Sequence, residues 1–250
     1  MATTNVYSSS RGFVRHLGSV EDEVNDAFDD ARGTNTTTGS SVGSTGASVA
    51  WGVGIQTTRG GDFQGTVYRC YFFFDLGGIG EDDVTAVTFS FNNISNANGN
   101  GIVVRANSDN DFGTIATSDF ALVFNSSTQM TSYSNSASTW NPNFGGNLGV
   151  NTISLNATAV SNANSGGASA QELCIGLVNN TYDYENEDAE ENFGQLINGV
   201  ALASSGTGRA LLTVTHQASG YGNEVNNIIP SKISKILGIS SANISKVTGV

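Results

Sequence analysis

Carboxylates are the most concentrated reactive groups in this chain, and they cluster in one acidic run, Tyr182–Glu191. Two carboxylates flanking a glycosidic bond can serve as acid and base in glycoside hydrolysis. Oxygen ligands at alternating positions can instead hold Ca²⁺. The spacing fits no EF-hand or other strict loop, so the run is predicted to be a solvated acidic loop. A structural Ca²⁺ remains the second interpretation, with Asp183, Glu187 and Asp188 as its candidate ligands.

Serine and histidine, the usual residues of nucleophilic catalysis, lack a supporting context here. Gly39–Gly43 matches G-x-S-x-G with Ser41 at its centre, but a nucleophile elbow lies between a strand and a helix. This match lies within a Gly/Ser/Thr-rich stretch. The only imidazoles are His16 and His216, and neither has a second His or a Cys at metal-ligand spacing. We therefore expect no catalytic residues, no bound cofactor and no enzyme activity.

Aromatic side chains offer a third kind of site. Trp51, Trp140, Tyr133 and Tyr184 could form a platform on which a sugar ring stacks. In a β-sandwich such residues more often belong to the core or its rim, so carbohydrate binding is the alternative rather than the leading interpretation.

The composition restricts the possible partners. The chain has 250 residues, a formal net charge of −12 and only 13% charged residues, with 31 Gly and 2 Pro. An acidic surface repels the phosphates of nucleic acid and of anionic membranes, so neither is an expected partner.

No apolar run is long enough to span a bilayer, and the first residues lack the apolar stretch of a signal peptide. We expect synthesis and folding in a cytoplasm, where Cys70 and Cys174 would remain buried free thiols.

The elements that would position these residues are short strands separated by turn-rich stretches. The segment Thr66–Asp75 is the strongest, and its dense aromatics predict a central strand. Residues 1–18 are expected to be loosely ordered, residues 19–31 to form a helix capped by Ser19, and residues 33–46 to form a flexible loop. The predicted strands lie near 48–57, 66–75, 83–92, 101–106, 119–125, 151–156, 171–179, 195–203 and 208–216.

Evenly spaced strands without intervening helices predict an all-β fold, an antiparallel, jelly-roll-like β-sandwich. Residues 1–46 would form an N-terminal arm, residues 47–216 the sandwich body, and residues 217–250 a C-terminal extension.

Parts of the body resemble a known family. The run Tyr68–Leu76, followed by Val84–Phe91, resembles the R-x-x-x-x-F-D-L … V-x-x-A-x-L-x-L signature of DNRLRE-type jelly-roll domains, which are similar to carbohydrate-binding modules. Residues 140–208, with Asn151–Val160 and the Tyr182-Asp-Tyr184 triplet, are similar to the second half of such domains. The family's L-L-R-F is Tyr-Phe-Phe-Phe here, so a sugar-binding role is not carried over.

The last residues contain a sequence that occurs twice. Ile233–Ile239 (ISKILGI) recurs as Ile244–Val250 (ISKVTGV), and all three lysines lie in this part of the chain. The first 216 residues hold seven arginines against 21 acidic residues, whereas the remainder holds three lysines against Glu224. An apolar, basic, repeated segment after an acidic body favours docking onto another protein. The predicted partner-binding residues are Ile233, Lys235, Ile236, Ile239, Ile244, Lys246, Val247 and Val250.

This C-terminal segment also looks like the repetitive C-termini of structural proteins from tailed bacteriophages. The resemblance implies a virion structural protein, with a capsid decoration or head-appendage role ahead of a tail component. Its partners would be other virion proteins and further copies of itself in a homo-oligomer, of which a trimer is the favoured form. The alternative is an adhesin module that binds a host-surface glycan.

Overall fold

The computed structural model describes residues 1–43, 48–80, 82–95, 100–107, 115–135, 149–165, 172–189, 195–201, 210–217, 235–236 and 239–240. Eleven strands join one sheet and a further two form a separate hairpin. The strands of the large sheet are β1 (Ala2–Tyr7), β2 (Ser10–Glu21), β3 (Ser41–Gly43), β4 (Ser48–Thr57), β5 (Phe63–Asp75), β6 (Asp83–Ser95), β7 (Gly101–Arg105), β8 (Gly149–Ser154), β9 (Glu172–Asn179), β10 (Gln195–Ala201) and β11 (Leu211–Gln217). The hairpin consists of β12 (Lys235–Ile236) and β13 (Ile239–Ser240), and the α-helices are α1 (Val24–Arg32) and α2 (Ala157–Asn164).

The large sheet doubles back on itself and forms an antiparallel β-sandwich. Its strand order is β1-β11-β6-β10-β4-β5-β2-β3, with β8 beside β6 and with β9 and then β7 beside β5. Strand β5 pairs with β4 through residues 63–68 and with β9 through residues 70–75. Strand β10 pairs with both β6 and β4 and so connects the two layers. The predicted all-β sandwich with β5 at its centre is confirmed.

Aromatic side chains fill the interior between the two layers. The Phe89 ring of β6 lies 5.3 Å from the Phe72 ring and 6.1 Å from the Phe74 ring of β5, measured between ring centroids. Phe91 stacks on Phe89 at 5.3 Å, and Trp51 is fully buried in the same cluster. Offset and edge-on ring pairs of this kind add about 0.5–1.5 kcal/mol each beyond the burial of their surface.

Strand β5 is buried on its second face as well. There Val67, Tyr71 and Phe73 pack beneath α1 and beneath a 3-10 helix, Thr117–Val123. Helix α1 approaches so closely that a Cβ at Gly18 would lie 2.8 Å from the backbone nitrogen of Ala31. Coverage on both faces removes the polar alternation of an exposed strand, which explains the apolar run Cys70–Phe74.

Gly52 turns strand β4 from one core to the other. Alternate residues of a regular strand point to the same face, yet Val49 and Trp51 lie in the sandwich interior whereas Val53 and Ile55 lie under α1. Gly52 has a φ of 125°, which a residue with a side chain rarely adopts. The change of face occurs where β5 exchanges its neighbour β4 for β9.

Several predictions about the first third of the chain are wrong. Residues 1–18 are not loosely ordered, because β1 pairs with β11 and β2 pairs with β5. Strands β1 and β2 thus belong to the large sheet, and an N-terminal arm over residues 1–46 is not confirmed. Helix α1 begins at Val24, and its N-cap Glu23 makes no side-chain capping bond. Ser19 instead remains in β2, where its hydroxyl donates to Asp30 at 2.9 Å.

Two further elements differ from the predictions. The segment 119–125 was expected to be a strand, but residues 117–123 form the 3-10 helix that covers β5. Helix α2 was not predicted; its N-cap Asn156 accepts from the backbone N–H groups of Thr158 and Ala159. Cys70 and Cys174 are buried and unlinked as predicted, one in each core.

Candidate binding site

The acidic run is divided between a buried carboxylate and exposed ones. Asp183 lies in a π-helical turn, Asn180–Tyr184, that follows β9, and its side chain is completely buried. Glu187 and Asp188 are exposed. Among the described residues no group of three or more His, Cys, Asp or Glu side chains is placed to hold a metal ion. Ca²⁺ ligation by these three residues stays a prediction, and the Asp183 carboxylate already has a cationic partner.

That partner is Arg69 of β5, which is itself fully buried. Its Nε and Nη2 atoms donate to the two Asp183 carboxylate oxygens at 3.0 and 2.6 Å. Nη1 donates to the Phe120 carbonyl and Nη2 to the Arg32 carbonyl, both at 2.9 Å. The guanidinium carbon also lies 4.0 Å from the centre of the Phe120 ring. Arg69 therefore connects β5 to α1, the 3-10 helix and the π-helical turn, which is a structural role.

The three described residues of the alternative sugar platform, Trp51, Tyr133 and Tyr184, pack into the two cores. Trp51 and Tyr133 are buried in the sandwich interior, and Tyr184 packs against the second core. Trp140 lies outside the described residues. The physical reason is that these aromatic side chains contribute more by filling the cores than a partly solvated ring would.

The two histidines also have structural partners. The imidazole of His16 contacts the Ala31 carbonyl through Nδ1 at 2.9 Å. Nε2 of His216 lies 2.9 Å from the Thr4 hydroxyl, and its Nδ1 lies 2.7 Å from the Asp82 carboxylate. A hydroxyl, an imidazole and a carboxylate in that order also occur in hydrolase triads. Here His216 is only 7% exposed, and the three groups fasten β1 and the residue before β6 to the end of β11.

Ser41, the centre of the G-x-S-x-G match, is the first residue of the short strand β3. It pairs with Arg15 of β2. Its position in a sheet differs from the strand-to-helix turn that exposes the nucleophile in α/β-hydrolases.

A polar cavity opens on the surface formed by β2, β5 and β4, outside the packed interior of the sandwich. It measures about 180 Å³. Strand register brings its walls together: Arg15 pairs with Tyr68, and Leu17 pairs with Thr66. On the other side of β5, Gly52 and Gly54 of β4 lie opposite Tyr68 and Thr66. The lining residues are Arg15, Leu17, Gly54, Ile55, Gln56, Thr66 and Tyr68.

The cation of this cavity is not neutralised within the described part of the chain. The Nε of Arg15 is buried yet has no hydrogen-bond partner there, and the guanidinium has no salt bridge there. The Tyr68 ring is half-buried and rests against Phe13, with centroids 5.7 Å apart. We name this set of residues the Arg15 pocket. No local sequence pattern marks it, because Leu17 and Thr66 are 49 positions apart in the chain and meet only through sheet register.

The residues predicted to dock at the C-terminus are described only in part. Lys235 pairs with Ser240 and Ile236 with Ile239, as the antiparallel hairpin β12–β13. Ile233, Ile244, Lys246, Val247 and Val250 lie outside the described residues.

Within the described residues, no helix combines the length and apolarity needed to cross a bilayer. Neither a protein-family model nor a curated protein sequence matches this chain. The likeness of the body to DNRLRE-type domains stays a prediction.

Proposed function

We propose that this chain is a non-enzymatic structural protein that docks onto its partners through residues 217–250. The observation that carries the proposal is the repeated, lysine-bearing sequence after an acidic body. Two equivalent apolar segments suit two equivalent contacts, on two copies of a neighbour or within a symmetric homo-oligomer. Lys235 and Lys246 occupy the same position in the two repeats and favour an acidic surface, including the body of another subunit.

The hairpin supports the assignment of docking to the C-terminal segment rather than to the body. Strands β12 and β13 pair with each other and with none of the eleven strands of the large sheet. The buried Arg69 and Asp183 side chains of the body form an ion pair with each other. The body is thus a self-contained sandwich, and the C-terminal segment is the part suited to a partner.

The setting that we propose is the virion of a tailed phage. The resemblance of the C-terminal repeats to phage structural proteins supports it, and a capsid decoration or head-appendage role suits a sandwich that docks by one end. A tail component is the second placement within the same proposal.

The test compares the full chain with a variant carrying Ile236→Asp and Ile239→Asp. A matched control carries Val42→Asp and Val150→Asp, at body side chains that are 41% and 50% exposed. Native mass spectrometry and binding to purified particles would measure self-association and docking. We expect the hairpin variant to remain folded but to lose both, and the control to keep both. Equal assembly of the hairpin variant and the unmodified chain would refute the docking role.

A further inference from the structure

The Arg15 pocket has the form of a small binding site. Strand β4 contributes Gly54, which lies opposite Thr66 of β5, to the lining of the pocket. Glycine leaves a gap in the sheet surface, and Arg15, Leu17, Thr66 and Tyr68 stand around it. The concave shape of this gap results from the pairing of β2, β5 and β4 and does not depend on a loop.

The polar groups around the gap retain unused hydrogen-bonding capacity. Gln56 donates from Nε2 to Oε1 of Gln64 at 2.9 Å, and Gln64 donates to the Gly18 carbonyl at 2.9 Å. This chain of amides fixes Gln56 and leaves its own carbonyl oxygen available. Within the described residues, the hydroxyls of Thr66 and Tyr68 make no side-chain hydrogen bond, and the Nε of Arg15 has no acceptor.

The charge balance of the pocket defines the ligand. An unpaired guanidinium binds a planar carboxylate through two parallel hydrogen bonds. Arg15 is the single cation of the lining on a chain of net charge −12, so a polyanion would be repelled while one carboxylate is accommodated. The uncharged groups, two hydroxyls and an amide carbonyl, suit the hydroxyls of a ligand. The half-buried Tyr68 ring offers an apolar surface beside them.

We propose that the Arg15 pocket binds an acidic sugar, a single ring that carries one carboxylate and several hydroxyls, as in uronic and sialic acids. Arg15 holds the carboxylate, Gln56 and Thr66 bind ring hydroxyls, and Tyr68 packs against the ring. This site is separate from the C-terminal docking segment and does not depend on it.

The experiment uses the full chain and saturation-transfer NMR with glucuronic acid, N-acetylneuraminic acid and glucose at millimolar concentrations. Glucose keeps the ring and hydroxyls but lacks the carboxylate. We expect transfer to at least one acidic sugar and at least tenfold less to glucose. Absence of transfer to both acidic sugars, or equal transfer to glucose, would overturn the proposal.

Variants then locate the site. Arg15→Gln and Tyr68→Ala should each weaken binding of the acidic sugar at least tenfold, whereas Arg59→Gln, the same charge change in an exposed turn, should leave it unchanged. Arg15→Lys keeps the positive charge but lacks the planar guanidinium, so its affinity for the acidic sugar should lie between those of the unmodified chain and Arg15→Gln. This variant tests the site if Tyr68→Ala does not fold. A glutamate-containing peptide is the competing ligand. Tighter binding of that peptide than of either sugar would assign the pocket to a protein partner and refute the sugar.

Discussion

Neutralising Asp183 should destabilise the body more than a typical single substitution. Asp183→Asn keeps the shape of the side chain but leaves the fully buried Arg69 cation without its anion. Removing one member of a buried ion pair costs about 3–5 kcal/mol. For a domain of this size each kcal/mol lowers the melting temperature by about 2–4 °C, so a fall on the order of 6–20 °C is expected.

Removing both charges should cost less than removing one. In the double variant Arg69→Met, Asp183→Leu, no unpaired charge remains, and the Phe120 carbonyl keeps the Tyr71 hydroxyl as a donor at 3.0 Å. The Arg32 carbonyl loses its donor, which costs about 1–3 kcal/mol. Urea unfolding followed by tryptophan fluorescence would measure Asp183→Asn, the double variant, and the single variants Arg69→Met and Asp183→Leu that compose it. A loss below about 1 kcal/mol for Asp183→Asn, or strict additivity in the double variant, would refute this account of the pair.

Three further outcomes are expected. Gly65→Ala should lose about 1–3 kcal/mol because its Cβ would collide with a backbone carbonyl of α1, whereas Gly78→Ala, with open space around it, should be near neutral in the same unfolding assay. Burial, with Asp75 opposite in the ladder, raises the pKa of Glu172 above its usual value. A raised folded-state pKa makes the charged form unfavourable, so Glu172→Gln should raise the melting temperature at pH 7. That advantage should disappear as the pH falls below the ordinary glutamate pKa. Burial also raises the pKa of the Cys70 thiol well above its usual value, so iodoacetamide should label it only after denaturation; labelling of the native protein would contradict this.

The elements that could be predicted from sequence are those whose signals are local. The bounds of β4 agree with the predicted 48–57, and the aromatic density of β5 marked it as the central strand. Helix α2 carried a usable signal, an asparagine N-cap at Asn156, but its short, weakly apolar sequence did not stand out.

The remaining elements depend on partners that are far away in the chain. The apolar run 119–125 has the composition of a strand, yet the Phe120 carbonyl accepts from Arg69 and Tyr71, and these contacts hold the segment as a 3-10 helix on β5. The polar strand β1 has no core pattern of its own and is defined by its pairing with β11. The Arg15 pocket likewise exists only once the register of β2, β4 and β5 is set.

The pairing of β1 with β11 determines when, during synthesis of the chain, the large sheet can be completed. Thr4 and His216, which are in contact across that pair, are 212 positions apart in the chain. Strand β1 therefore has no pairing partner until nearly the whole body has been synthesised. Until then β1 and β6 present unpaired edges, which are prone to join the wrong chain. Residues 218–250 leave the ribosome only after β11 does. A nascent chain can therefore pair β1 with β11 before residues 218–250, the segment proposed for docking, have left the ribosome.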